Sequence, residues 1–324
     1  MRTSLTLGTC LALLASPAAA DTAPPLQVLA TVGMIADVAI NVTGDCADVS
    51  ALIGPGVDPH YYSATPSDVR RLESAELVFY VDPALEEQLA RVLERFATRV
   101  PTVGVLAAAL EDDALLDDPD APGTVDPHIW MDVARWARIG PVIVDAVADA
   151  RPDCADAMAG RLEAYTAQLD ALHDWVGEAV ASIPEGQRLL VTAHDAFEYY
   201  ADAYGIEASE AIEGISSASE AAIADIRAVA DFVVERGVGA VFVETTISPR
   251  TIEALVAEVR ARGHDVRIGG ELFSDAMDDP GAPGGTYIGM IATNTATITR
   301  ALGGTLPPLP EALARLPELA NLTD

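Results

Sequence analysis

Three of the five histidines sit where their surroundings suit metal-ion chemistry. His60 ends the run Gly54-Pro55-Gly56-Val57-Asp58-Pro59-His60, and His128 lies in Asp126-Pro127-His128-Ile129-Trp130-Met131-Asp132. His194 occupies Ala193-His194-Asp195-Ala196-Phe197. Proline fixes the local backbone, and an aspartate two residues before an imidazole can orient the ring from behind. One Asp-Pro-His is explained by a turn; the repeat is the sharper sign. Asp275, in Glu271-Leu272-Phe273-Ser274-Asp275-Ala276, adds a carboxylate. Three imidazoles and one carboxylate suit a divalent transition metal. The four residues lie far apart, unlike the ligands of a zinc finger, so the whole fold must assemble the site, with two ligands from each half. His173, between apolar positions of a helix, is expected to face solvent, and His264 to occupy a turn before a strand. For Tyr61, Tyr62, Tyr199, Tyr200 and Tyr204, packing in the core or at a rim is the simpler role, and lining a cleft the alternative.

The elements that must position these groups read twice as strand, loop, helix. Short apolar, β-branched runs at 27–32, 48–53 and 77–81 predict buried strands, with helical patterns at 67–75 and 84–97. A second series has strands at 189–192, 240–244 and 266–270, separated by helices at 219–236 and 249–262. This alternation predicts an α/β fold with a small parallel sheet in each of two lobes. In such sheets ligands bind beyond the carboxyl ends of the strands, which is where His60, His194 and Asp275 fall. Between the halves, Met158, Leu162, Tyr165, Leu169, Leu172, Trp175, Val176 and Val180 step by three or four residues. They predict one amphipathic helix over 156–182, roughly 40 Å long. The expected organisation is a leader at 1–20, an N-terminal lobe at 21–154, a linking helix at 155–184 and a C-terminal lobe at 185–324. The Asp- and Pro-rich stretch 111–125 is expected to be an exposed loop.

Composition narrows the partners. Fifty acids stand against 19 bases, for a formal charge of −31, and every base is arginine. Such a surface repels nucleic acid and anionic lipid. It fits cation handling, and a solvated acidic shell explains it equally well. Arg2, the apolar run 5–14 and Ser16-Pro17-Ala18-Ala19-Ala20 form an export leader, with cleavage expected after Ala20. Cys10 lies inside the apolar run, so lipidation there is not expected. No later stretch reaches the ~20 apolar residues of a membrane span. An oxidising compartment favours pairing Cys46 with Cys154; two unpaired thiols are the alternative.

Six stretches carry a resemblance to a known family: GPGVDPHYYSATPSDVRRLESAELVFY (54–80), DPHIWMD (126–132), VTAHDAFEYYADAYGI (191–206), GISSASEA (214–221), VFVETTISPRTIEAL (241–255) and GGELFSDAMDDPGAPGGTYIGMIATN (269–294). In these the chain resembles the zinc/manganese-binding solute receptors of ABC transporters (cluster A-I, TroA/ZnuA-like), whose two lobes are joined by a single rigid helix. The resemblance implies that His60, His128, His194 and Asp275 are metal ligands. It also implies a fold with two parallel-sheet lobes, a membrane permease as partner, and no catalysis; with the leader, the expectation is a monomeric periplasmic receptor. Two departures bear on the metal. Many members carry a His-rich loop before the second Asp-Pro-His, whereas 111–125 holds acids and no histidine. Many manganese-type members place Glu at the third ligand position, where this chain has His194. Three nitrogens and a carboxylate favour zinc, with manganese, and then iron, as the alternatives.

The rival from another class is an exported zinc hydrolase, with an open metal position for water. No His-Glu-x-x-His helix is present, and Glu198 is the one residue worth testing as a base. A surface adhesin, a role some relatives are reported to share, is disfavoured by the expected periplasmic destination and the lack of a lipid anchor. Coordinating imidazoles must be neutral, so protons compete with the ion and affinity should fall with pH. Titration at about pH 7.5 and 5.5 checks this around the ordinary imidazole range, and equal affinity at both would overturn it.

Overall fold

A computed structural model describes residues 24–82, 84–118, 123–215, 217 and 222–322. The expected leader at 1–20 lies outside them, as do 119–122 of the acidic loop and 219–221 of one expected helix. The first lobe opens with β1 (Leu26–Ala30), α1 (Gly33–Thr43), β2 (Ala47–Ala51), α2 (Pro66–Ser74) and β3 (Leu77–Tyr80). It continues through α3 (Ala90–Ala97), β4 (Thr102–Gly104), α4 (Val105–Ala109), α5 (Val133–Trp136) and α6 (Ile139–Ala150). Its sheet has the order β2-β1-β3-β4, all parallel. The middle strands are apolar runs sealed on both faces, as parallel sheets require: Leu77, Val78 and Phe79 of β3 are all buried. Helix α2 starts sharply because Thr65 and Asp68 cap one another's backbone N–H groups and Pro66 follows the cap.

The predicted long helix is α7 (Ala155–Ala181), a single run of 27 residues. Met158, Tyr165, Leu169, Leu172, Trp175, Val176 and Val180 are buried along it, as their spacing requires. Leu162 is half-buried over Gly140 of α6. Helix α7 packs on α1 and α6 of the first lobe and on α8 (Glu198–Tyr204) and α11 (Tyr287–Ala301) of the second. The apolar core is therefore continuous from the first lobe through α7 into the second.

The second lobe also contains β5 (Leu189–His194), β6 (Ala208–Glu213), α9 (Ile223–Arg236), β7 (Ala240–Glu244), α10 (Arg250–Ala261) and β8 (Arg267–Leu272). Strands β5 and β6 form one parallel ladder and β7 and β8 another, with β5 lying beside β7. A second apolar cluster lies beneath α9 and α10, built from residues such as Val191, Val233, Leu255 and Val259. At Gly270 of β8 a Cβ would come within 2.4 Å of Thr297 Cγ2, so α11 can cross there only above glycine.

Several expectations are corrected. Helix α3 begins at Ala90 rather than at 84, because Glu86 turns inward and accepts hydrogen bonds from Val81 N, Asp82 N and the Thr31 hydroxyl. Strands β4 and β6 were not expected: one is only three residues long, and the other carries acids that break the apolar signal. His173 does not simply face solvent; it is half-buried, with Nδ1 3.1 Å from the Tyr204 hydroxyl. His264 does occupy the turn before β8, its Nε2 donating to the Val238 carbonyl.

Cys46 and Cys154 form a disulfide that closes a 108-residue separation and ties the turn after α1 to the start of α7. Opening so long a loop releases unfolded-chain entropy worth about 3–5 kcal/mol. Replacing both cysteines with serine should lower the melting temperature by roughly 5–15 °C, which calorimetry of the oxidised protein and the variant checks.

Candidate metal centre

The ends of unrelated elements meet where the lobes face each other. His60 lies within the loop between β2 and α2, and His128 caps a turn of 3-10 helix at Ile129–Met131. His194 is the last residue of β5, and Asp275 follows β8. One ligand atom from each of the four lies within 4.8 Å of those of the other three, and all four residues are at most 1% exposed.

The distances describe a small cage. Nε2 of His60 is 3.5 Å from Nε2 of His128 and 3.8 Å from Asp275 Oδ2. Asp275 Oδ1 lies 3.3 Å from His128 Nε2, and Oδ2 lies 3.2 Å from His194 Nε2. A tetrahedral ion with bonds of about 2.0–2.1 Å holds its donors about 3.3–3.4 Å apart, so a single transition-metal ion fits this spacing. His194 Nε2 and both Asp275 oxygens are buried without a hydrogen-bond partner among the described residues. Orphaned acceptors in a dry interior are expensive, and a cation is the group that satisfies them.

The two Asp-Pro-His segments hold their imidazoles differently. Asp126 Oδ1 accepts from the His128 backbone N–H at 2.9 Å and lies 2.7 Å from its Nδ1, which turns Nε2 toward the cage. Asp58 Oδ1 accepts only from the His60 backbone at 2.8 Å; its Oδ2 accepts from the Ser217 hydroxyl at 2.6 Å. Nδ1 of His60 has no full hydrogen-bond partner among the described residues, and the Ala84 backbone acts on it weakly.

His194 is oriented by a residue that sequence reasoning missed. Glu244, at the end of β7, places Oε2 2.5 Å from His194 Nδ1, while its Oε1 accepts from the backbones of Ala193 and His194. The signal was present: an acid closing the otherwise apolar strand Ala-Val-Phe-Val-Glu.

Electrostatics separates the histidines. Burial pushes His60 down to about 3, against the pull of Asp275. Burial also opposes the charged form of His128, but Asp126 and Asp275 together outweigh it and raise the ring to about 9. At His194 burial is likewise overcome, by Glu244 and Asp275, and the pKa is raised. Burial would raise Asp275, yet His194 and His128 hold it well below the usual carboxylate range.

Glu198 is not among the four converging residues. It lies among Asp126, Ser209 and Asp195, and burial, with Glu198 and Asp126 beside it, pushes the Asp195 carboxyl up to about 7. Tyr199 and Tyr200 are buried and Tyr204 nearly so, with Tyr199 donating to the Asp126 carbonyl. Tyr62 is half-buried and donates to Asp68, whereas Tyr61 is exposed at the cleft rim.

The family model described as the periplasmic zinc-uptake complex component A matches residues 28–301. The zinc-binding protein TroA of Treponema pallidum is 40% identical over 286 residues, 88% of this chain and 91% of that protein. The manganese-binding lipoprotein MntA of Bacillus subtilis is 39% identical over 278 residues, 86% of this chain and 90% of that one. The structure of the T. pallidum periplasmic zinc-binding protein superposes with a TM-score of 0.82 at 39% identity, covering 86% of this chain and 99% of that one.

Glu244→Gln tests the orienting role. Its carbonyl can still accept from the Ala193 and His194 backbones, but its NH2 would face Nδ1 and drive the proton to Nε2, the atom that faces the other three residues. Affinity for an added divalent ion should fall about 10–100-fold with the fold intact, as chelator-competition titration and circular dichroism would show.

Proposed function

For a chain that belongs to the family of periplasmic zinc-uptake components, we propose that it is an exported receptor that captures one divalent transition-metal ion between its lobes. It would then hand the ion to the membrane permease of an ABC importer. The family is one of uptake components rather than of enzymes. In this reading His60, His128, His194 and Asp275 are the metal ligands, and the ion is cargo. The observation that carries the reading is the convergence of three Nε2 atoms and an unpartnered carboxylate in a dry interlobe cage.

We infer zinc as the preferred cargo. Three nitrogen donors at near-tetrahedral spacing suit an ion that accepts four-coordinate sites, and zinc outranks manganese at any nitrogen-bearing site. Manganese is the second reading, and one observation favours it. Both oxygens of Asp275 face imidazoles, so the carboxylate can bind through both and raise the coordination number toward what manganese prefers. A chain 39% identical to a manganese-binding lipoprotein is consistent with either cargo.

The deciding experiment is elemental analysis of protein purified from its native compartment with no metal added, with His194→Ala run alongside. The expected result is about one zinc per wild-type chain and at least a tenfold loss in the variant, as removal of a direct ligand implies. Manganese in that position would reassign the cargo. No divalent metal in the wild type, or undiminished metal in the variant, would remove the basis for the receptor reading.

A further inference from the structure

The metal cage leaves one charged feature of the first lobe unexplained. Residues 70–99 hold five of the 19 arginines against six of the 50 acids, so this stretch is almost neutral in a chain that is otherwise strongly negative. Arg91, Arg95 and Arg99 follow one another at four-residue intervals along α3 and just past its end, and all three are exposed. Within the helix, the spacing of Arg91 and Arg95 sets like charges on one face, where they repel. Elsewhere the chain satisfies its arginines. Arg135, Arg151, Arg236, Arg262 and Arg315 make ion pairs with carboxylates. Arg71, on the neighbouring α2, donates to the Leu52 and Ala51 carbonyls. Among the described residues Arg91, Arg95 and Arg99 belong to no such ion pair, although Glu94 lies between them in the chain.

Two of these arginines open onto a cavity. Arg95, Thr98 and Arg99 line a space of about 430 Å³ beside α2 and α3, and Val69, Val92 and Phe96 complete its wall. Val92 and Phe96 are half-buried and packed against the main core, so the apolar part of the wall is fixed from behind. The backbone at the end of α3 does not need the guanidinium groups. The Thr98 hydroxyl donates to the Arg95 carbonyl at 2.9 Å, and the N–H groups of Arg99 and Val100 donate to the Phe96 carbonyl. The helix dipole favours a cation in the last turn, but it gives no reason for an apolar wall beside that cation. A guanidinium presents its donors as a planar fork that matches a carboxylate or phosphate, and its flat face stacks on an aromatic ring. Salt screens the chain's overall negative charge over about 8 Å, so unpaired arginines still attract an anion at close range.

We propose that the cavity beside α2 and α3 binds a small soluble organic anion. Arg95 and Arg99 hold its carboxylate or phosphate, and its apolar or aromatic body lies against Val69, Val92 and Phe96. None of these residues belongs to the metal cage, so the two sites can be tested apart.

The test is calorimetric titration of the whole protein with phenyl phosphate, using inorganic phosphate and benzyl alcohol as probes of the anion and of the ring alone. Phenyl phosphate should bind saturably at a single site in the millimolar range or tighter, and more tightly than either fragment. Added salt should weaken it. The double variant Arg95→Gln, Arg99→Gln should lose about tenfold or more in affinity, as the loss of charge-assisted hydrogen bonds implies. Its melting temperature and its zinc affinity by chelator competition should match the wild type, which separates loss of the site from loss of the fold. Phe96→Leu should weaken phenyl phosphate and leave inorganic phosphate unchanged. The proposal is overturned by the absence of saturable phenyl phosphate binding, by equal binding of benzyl alcohol, or by undiminished binding in the double variant. Capture by phosphatidylglycerol vesicles without binding of phenyl phosphate would also overturn it, and would reassign the arginines to a membrane surface.

Discussion

A carboxylate sealed from water among imidazoles is the interaction that the other parts of this molecule serve. Asp275 is 1% exposed, and neither of its oxygens has a hydrogen-bond donor among the described residues. Isolating an ionised carboxylate in this way costs several kcal/mol even after relaxation. The surroundings raise the demand, because Asp126 and Glu244 are also buried within hydrogen-bonding reach of the cage histidines. Among the described residues no arginine pairs with any of the three; their ionic partners are imidazoles. A dication bound by neutral rings offsets that excess of negative charge more fully than hydrogen bonds alone.

The framework around the cage follows from this demand. Donors spaced for one ion must be held to within a few tenths of an ångström, and side chains on loops hold such positions only when their rotamers are locked from behind. Strand ends supply two of the anchors: β5 terminates in His194 itself, and β7 terminates in the glutamate that orients it. Between β5 and β7 the Glu244 carboxylate accepts the Ala193 and His194 N–H groups, so one side chain completes the backbone and aims the imidazole. Glu86 does the corresponding backbone work in the first lobe, tying Thr31 to the end of β3 without reaching an imidazole.

How far the sequence alone leads depends on the range of the interaction. Helix α7 was legible to within a residue at each end because a 3.6-residue apolar period is a local signal, repeated over seven turns. His60, His128, His194 and Asp275 were legible as a set because each follows a strand or a repeated Asp-Pro-His, and the structure brings all four together. The partner of His194 was not, since it depends on two strands lying side by side that are 50 residues apart in the chain. Nor could the motif distinguish its own two copies. Asp126 supports a ring and Asp58 does not, and what diverts Asp58 is a serine 159 residues away. Strand β6 stayed hidden because Glu210 and Glu213 break the apolar pattern, although their backbones pair in register with β5.

The link between the lobes limits how the cage can open. Helix α7 runs unbroken for 27 residues without an internal proline and packs against helices of both lobes, so a wide hinge would tear a continuous apolar core. Large separation of the lobes is therefore the costly route, and movement of single loops is the cheap one. A cavity of about 310 Å³ lies beside the His60 loop, whereas hydrogen bonds of Trp130 to Ser274 and Tyr287 tie down the other side of the cage.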